Sequence, residues 1–362
     1  MITKRRMKKQ SKEKIMIGMS GGVDSSVSAA LLKDQGYEVI GVTMQIWQEN
    51  KEENGTCCSI TAVDDARKVA NTLDIPYYVL NFKKSFDEKV IKYFIAEYLK
   101  GRTPNPCIAC NRYIKFEELL NKSLSMDIPY IATGHYAVVE KKKGRYLLKK
   151  SKSKTKDQTY VLYNLTQEQL AHTVFPLGKY DKSKVRELAK RYNLQVANKK
   201  DSQEICFVED NNYGKFIEQN TDSDLVPGDL VNTKGEVVGK HKGIHHYTIG
   251  QRKGLGIASN KALYVIDIDI ENNTVMVGQE SDLQQKELIA YDLNWILVDK
   301  LEKKMRVKAK IRYGAKECLA TIYPLEEGKV RVVFNKSQRA ITPGQAVVFY
   351  KGDYVLGGGT IE

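Results

Sequence analysis

Six residues, Ser20-Gly-Gly-Val-Asp-Ser25, have the composition of a phosphate cradle. Gly21 and Gly22 carry no Cβ, so backbone N–H groups at this point can close on phosphate oxygens. Ser20 and Ser25 add hydroxyl donors, and Asp24 is placed to hold a magnesium ion bridging the phosphates. A second set of reactive groups is the thiols. Of six cysteines, Cys107 and Cys110 share C-x-x-C spacing, Cys206 lies far away in a polar stretch, and Cys57 and Cys58 are adjacent. No second C-x-x-C pair exists to complete a zinc site, and Pro104 and Pro106 place the first pair on a stiff loop. Vicinal Cys57-Cys58 would strain a mutual disulfide and reads as loop thiols. Cys318 falls in an alternating β segment and reads as core. A buried, inert thiol is the bland alternative for Cys206. Together, a nucleotide loop and loop thiols suggest a division of labour. ATP turns a carbonyl oxygen into a leaving group, a sulfur nucleophile displaces it, and a second thiol resolves the sulfur carrier as a disulfide.

The elements around the loop support this. Lys14–Met19 reads as a buried strand, and Ser26–Lys33 as a helix that Gly36 stops. Strand, glycine turn and helix put a positive helix end against the anion. The lysine of a Walker loop is missing, which suits holding pyrophosphate as a leaving group while the α-phosphorus is attacked. Further strands are expected at Tyr37–Met44, Tyr77–Phe82 and Tyr130–Thr133, with helices at Thr61–Leu73, Ser85–Leu99 and Arg112–Leu124. This alternation predicts an α/β domain with a parallel sheet. Met44, ending the second strand, is either an adenine-pocket residue or ordinary core. The Lys-rich stretch 141–156 reads as a mobile basic hairpin or linker, and Asp181–Tyr192 as a helix capped by Asp181. Beyond it, short β-like runs at Ala262–Ile270, Thr274–Val277, Arg306–Ile311, Lys329–Phe334 and Gln345–Tyr350 predict two small all-β modules, the last a barrel. The divisions expected are a basic tail (1–13), a catalytic domain (14–215), a central β domain (216–282) and a C-terminal β-barrel (283–362).

Ser-Gly-Gly-x-Asp-Ser resembles the PP-loop of ATP pyrophosphatases. Over nearly its whole length the chain resembles the tRNA-specific 2-thiouridylase family. Seven motifs carry the likeness: Gly18-Met-Ser-Gly-Gly-Val-Asp-Ser25, Gly101-Arg-Thr-Pro-Asn-Pro-Cys-Ile-Ala-Cys-Asn111, Ala132-Thr-Gly-His-Tyr136, Lys156-Asp-Gln158, Asp201-Ser-Gln-Glu-Ile-Cys-Phe207, Tyr247-Thr-Ile-Gly-Gln-Arg-Lys-Gly-Leu-Gly256 and Gln338-Arg-Ala-Ile-Thr-Pro-Gly-Gln345. The resemblance implies ATP at Gly18, Met19, Ser20, Gly21, Gly22, Val23, Asp24 and Ser25, with Met44 and Gly134. It implies Cys110 as nucleophile and Cys206 as persulfide carrier, able to form a disulfide in turnover. Asn105, Pro106 and Cys107 would face the target base. His135, Lys156, Asp157, Gln158, Arg312, Tyr313 and Gln345 would touch the tRNA anticodon stem-loop. Sulfur would arrive as a persulfide from a cysteine desulfurase or a relay protein. For His135 a satisfied strand-end histidine stays open, and for Arg312-Tyr313 an ordinary surface pair.

One departure stands out. Some members carry an aspartate where this chain has Cys107, so a carboxylate base does not transfer. Cys107 then serves as a thiolate base or spare redox partner, or Cys107, Cys110 and Cys206 together hold a [4Fe–4S] cluster; the cluster-free persulfide route is preferred.

The 58 Lys and Arg against 44 Asp and Glu, formally +14, favour a polyanionic partner. No apolar run reaches a membrane span of ~18 residues, and the N-terminal Lys4-Arg5-Arg6 segment lacks the apolar stretch of a secretory signal. A cytoplasmic, monomeric enzyme is expected. Two rivals remain: a PP-loop ATP pyrophosphatase acting on a small molecule, and a non-enzymatic RNA-binding protein on a relic nucleotide fold.

Overall fold

A computed structural model describes residues 12–47, 60–199, 205–208, 212–223 and 225–362; Cys57 and Cys58 lie outside them. The first sheet contains β1 (Lys14–Gly18), β2 (Glu38–Gln45), β3 (Tyr77–Asn81), β4 (Tyr130–Ala132) and the two-residue strand β7, Thr173–Val174. All pairings are parallel, in the order β3-β2-β1-β4 followed by Thr173–Val174. β1 is central because Ile15, Met16 and Ile17 are apolar on both faces, and all three are fully buried. The chain winds outward from β1 through β2 and β3, then returns to β1's other side as β4. The crevice at the carboxyl ends of β1 and β4 is therefore a topological switch point, where sheets of this kind bind ligands.

Helix α1 (Val23–Asp34) follows β1 directly. It ends as expected at Gly36, whose φ of +92° lets Tyr37 N–H reach back to the Leu32 carbonyl. α2 (Ile60–Thr72) and the helical stretch α3 (83–99) come next. Asn105 N-caps α4 (106–124), its Oδ1 accepting from the N–H groups of Cys107 (3.1 Å) and Ile108 (3.4 Å). This corrects the loop reading of the C-x-x-C pair. Pro106 occupies the first helical position, where its fixed φ and missing N–H cost nothing, so it starts a helix instead of stiffening a loop. From Cys110 to Glu118 the helix has π-type bonding, a distortion common at functional sites. Asp181 does precede a helix, α5 (Lys182–Arg191), but its side chain makes no cap.

Of the two readings of the basic stretch 141–156, the hairpin holds for its first half and the linker does not. β5 (Ala137–Lys142) and β6 (Arg145–Lys150) form a hairpin in register from Ala137↔Lys150 to Lys142↔Arg145. Their lysines lie over aromatic rings, Lys141 on Tyr146 and Lys142 on Tyr354. A charge-rich sequence is tolerated in these strands because the ammonium groups rest on aromatic faces. The hairpin is attached to the C-terminal sheet.

That sheet consists of β12 (Gln284–Trp295), β13 (Met305–Lys310), β14 (Cys318–Pro324), β15 (Val330–Arg339), β16 (Ala346–Lys351) and β17 (Tyr354–Ile361). The order β12-β15-β14-β13-β16-β17 closes through a β12–β17 pairing into a six-stranded barrel, and β6 joins β17 at Tyr354↔Lys149. Cys318 packs at the edge of the barrel core. Between the two lies a four-stranded sheet of β8 (Gly228–Val231), β9 (Val237–His241), β10 (Tyr264–Asp269) and β11 (Thr274–Gly278). The architecture is thus the expected one: a parallel-sheet α/β domain, a small β domain and a closed β-barrel. Among the described residues no helix is long and apolar enough to cross a membrane.

Candidate active site

The nucleotide loop is shaped as its glycines require. Gly21 has φ +66°, and a Cβ there would strike the Ala62 carbonyl. Gly22 is the N-cap residue of α1 and supplies no side-chain cap, so the first-turn N–H groups face the crevice without one. Ser25 Oγ accepts from Ser20 N–H at 3.2 Å and lies 3.4 Å from Ser20 Oγ. Gly134, after β4, packs against the turn so closely that a Cβ would stand 2.7 Å from Ser25 N. Met19 and Val23 are buried beneath the loop. Met44 folds over Gly18, its Cε 3.2 Å from where a Cβ would be. Backbone donors, two hydroxyls and a helix N-terminus, in a cleft where neither Gly21 nor Gly134 has room for a Cβ, are a donor set suited to a nucleotide's phosphates.

Asp24 has partners the sequence did not suggest. Lys182, from α5, places Nζ 2.8 and 2.7 Å from its two carboxylate oxygens, and the Tyr136 hydroxyl donates to it at 2.8 Å. The carboxylate expected to hold magnesium is thus neutralised by an ammonium group. Lys182 lies 158 residues downstream of Asp24, with no local motif to mark it. It brings to this loop the positive charge that a Walker lysine provides elsewhere.

Cys107 sits on the first turn of α4 and Cys110 at the start of the second, Cys107 exposed and Cys110 8% exposed. Cys110 belongs to an apolar cluster with Ile46, Phe94, Ile114, Phe207 and Phe216; Cys206 and Met44 pack against the same cluster. The two thiols of the proposed pair, 96 positions apart by the difference of their residue numbers, thus meet one patch of core. All four described cysteines are thiols. Cys107, Cys110 and Cys206 do not bring their sulfurs within 4.8 Å of one another as a trio; among the described residues only Glu218, His245 and His246 make such a group.

The residues assigned to the tRNA divide in two. Tyr313 is 44% exposed, with Lys310 stacked on its ring at 5.3 Å. Its hydroxyl donates to the Asp157 carbonyl at 3.5 Å, which places it on the Lys156–Gln158 segment, and burial raises its phenol pKa. Arg312 donates to the Arg339 carbonyl at 3.4 Å. Asp157, Gln158, His135 and Gln345 are engaged internally. Asp157 accepts from Ser151 N–H and the Thr159 hydroxyl, and burial raises its pKa despite both. Gln158 Oε1 accepts from Tyr136 N–H at 2.9 Å, which ties this segment to the tyrosine that binds Asp24. His135 is 8% exposed, its Nδ1 2.8 Å from Thr133 Oγ1, and its ring packs on Phe116 and Phe175. Burial, then Lys115, pushes its pKa well below the usual value, so it is neutral; its surroundings are those of a packed strand-end histidine.

Sequence reasoning also missed Thr103. Its N–H donates to the Pro343 carbonyl (2.9 Å), its carbonyl accepts from Gln345 Nε2 (2.7 Å) and its hydroxyl lies 3.2 Å from that of Thr248. Barrel, central domain and the loop before Asn105 meet at this one residue. Gln345 thus fixes the loop that presents Asn105, Pro106 and Cys107.

The sequence pattern of a tRNA methyl transferase HUP domain matches residues 13–210, that of a tRNA methyl transferase PRC-barrel domain 214–279, and that of an aminomethyltransferase beta-barrel domain 285–361. The chain is 66% identical over 358 residues to the tRNA-specific 2-thiouridylase MnmA of Acetivibrio thermocellus, covering 97% of this chain and 100% of the relative. It is 64% identical to tRNA-specific 2-thiouridylase MnmA 1 of Thermoanaerobacter pseudethanolicus (98% and 99% covered) and 59% identical to the MnmA of Clostridium perfringens (97% and 99%). Identity at this level over nearly the whole chain, with the three domain patterns matched in order along it, means that the chain belongs to the tRNA-specific 2-thiouridylase family.

Proposed function

We propose that this tRNA-uridine 2-sulfurtransferase works in two stages on C2 of the wobble uridine, with the PP-loop activating and the Cys110–Cys206 pair delivering sulfur. First, uridine O2 attacks the α-phosphorus of ATP. The O2–P bond forms, the bond to the β-phosphate oxygen breaks, and pyrophosphate leaves into the N–H cradle of Gly21, Gly22 and α1. Second, the outer sulfur of a persulfide on Cys206 attacks C2, and AMP departs with the C2–O bond. The Cys110 thiolate then attacks Cys206 sulfur, releasing 2-thiouridine and leaving a Cys110–Cys206 disulfide, which an external dithiol reduces with two electrons. Cys107, at a helix N-terminus that favours thiolate, is the base for the uridine N3 proton. The observation that carries this reading is Met44: it lies on the nucleotide loop at Gly18 and packs on the same cluster as Cys110 and Cys206.

The substrate is an anticodon stem-loop whose target base is turned out of its stack towards Asn105, Pro106 and Cys107. Tyr313, Arg312, Lys156 and the basic hairpin line the approach, so Kd for tRNA should rise steeply with salt, with several phosphate contacts in the log–log slope. The sulfur comes from a cysteine desulfurase or relay protein carrying a persulfide. Magnesium is best carried on the nucleotide's own phosphates, with Lys182 passing from Asp24 to phosphate as they bind.

The deciding measurement is nucleoside mass analysis of tRNA after incubation with the protein, ATP and a persulfide source. The expected outcome is 2-thiouridine with matching AMP and pyrophosphate; ADP, or RNA of unchanged mass, would refute the proposal. After anaerobic purification the protein should contain no stoichiometric iron or sulfide, since the persulfide route needs none. Lys182→Met should lower tRNA-dependent pyrophosphate release by about a hundredfold, the scale of losing one preorganised charged donor. A rate within threefold of wild type would remove Lys182 from the reaction.

A further inference from the structure

Far from the nucleotide loop, α6 (Tyr213–Gln219) packs against the short turn Ile244–His246 that leads into the central sheet. Glu218 on the helix faces two consecutive histidines on the turn. His246 Nε2 lies 2.9 Å and His245 Nε2 3.6 Å from the same oxygen, Glu218 Oε1. One ligand atom from each of the three falls within 4.8 Å of the others. The His246 contact alone would be an ordinary exposed ion pair. His245 is different: it is 1% exposed, and its Nε2 is buried with no hydrogen-bond partner. A buried, orphaned ring nitrogen aimed at a carboxylate is costly unless something else satisfies it.

Two glycines make room for the imidazoles. A Cβ at Gly214 would strike the His246 ring, and one at Gly243, with φ +146°, would strike the His245 ring. Tetrahedral bonds of about 2.0–2.1 Å separate neighbouring donor atoms by about 3.3 Å, and the observed 2.9 and 3.6 Å bracket that spacing.

We propose that Glu218, His245 and His246 form a binding site for a divalent transition-metal ion of the zinc class, with an exchangeable water as fourth ligand. Two imidazoles and a carboxylate are a donor set for such ions and not for calcium or magnesium. The ion staples α6, whose Phe216 and Ile217 belong to the cluster holding Cys110, to the turn preceding Thr248, which touches Thr103. Its role is structural, and it stands or falls independently of the thiolation chemistry.

The test is titration of the full-length, metal-stripped protein with Co2+. The expected signal is a weak visible d–d band saturating at about one equivalent without intense thiolate-to-cobalt charge transfer. Glu218→Ala, at an exposed position, and His246→Ala, at a half-buried one, should each weaken binding at least tenfold, and each variant's metal-free melting temperature is the baseline for its own shift. Zn2+ at a hundredfold excess over the wild-type Kd should favour the folded wild type by about a hundredfold, raising its melting temperature, and favour each folded variant by about tenfold or less, a correspondingly smaller rise. If the wild type shows no saturable band, or if both variants bind as it does, the proposal is overturned. A charge-transfer band surviving in both variants would put the metal on the cysteines and overturn it equally.

Discussion

Cys206→Ser should abolish 2-thiouridine formation, by about a thousandfold or more, while leaving tRNA-dependent pyrophosphate release within a few-fold of wild type. The separation follows from the layout. The cradle at Ser20–Ser25 is built from backbone donors and hydroxyls and needs no thiol, whereas sulfur transfer needs a persulfide carrier that serine cannot be. Cys110→Ser should lose turnover to the same extent but differ in what accumulates. With the persulfide preloaded on Cys206 and no resolving thiol, the tRNA should stay attached through sulfur to Cys206, visible as a nucleic-acid adduct that dithiothreitol releases. Cys110 is buried in an apolar cluster and Cys206 packs against it, so a serine hydroxyl at either site costs some stability, and each variant's melting temperature is read alongside its activity. Full activity of both variants with a persulfide donor would reverse the role assignment.

Gly134→Ala should weaken ATP binding about five- to a hundredfold, the equivalent of about 1–3 kcal/mol of overpacking. The atoms in the way are backbone: Ser25 N at 2.7 Å, Asp24 C at 2.9 Å and Ser25 Cα at 3.1 Å from the added carbon. No side-chain rotation relieves this, so the end of β4 and the nucleotide loop must move apart and the N–H groups lose their aim. Gly314→Ala is the matched control, since nothing lies within 4 Å of a Cβ there. Isothermal titration with a non-hydrolysable ATP analogue reads the difference. Equal affinity for the two variants would mean that Gly134 does not shape the nucleotide site.

Much of the first domain was legible because each signal was local. Apolar runs on both sides of Ser20–Ser25 dictate strand and helix, and Gly36 marks the helix end by its backbone freedom alone. The C-x-x-C pair was misplaced because two prolines were read as breakers, when Pro106 is a helix starter under the Asn105 cap. Lys182 and Thr103 were not legible at all. Their importance comes from tertiary contacts, 158 residues apart for Lys182–Asp24 and 145 for Thr103–Thr248, and no periodicity reports such distances. Asp157 and Gln158 show the converse: the motif was visible, but not that both side chains would be occupied by Ser151, Thr159 and Tyr136.

The β5–β6 hairpin belongs by sequence to the first half of the chain and by pairing to β17, which the ribosome makes some two hundred residues later, as the register Lys149↔Tyr354 requires. Until then the outer edge of β6 is a bare template for any passing strand. Its lysines supply the usual protection for such an edge, keeping a nascent ribbon in solution until its partner emerges. Separately expressed halves of this chain would inherit the hazard permanently, one carrying an orphaned ribbon and the other a barrel stripped of its flank.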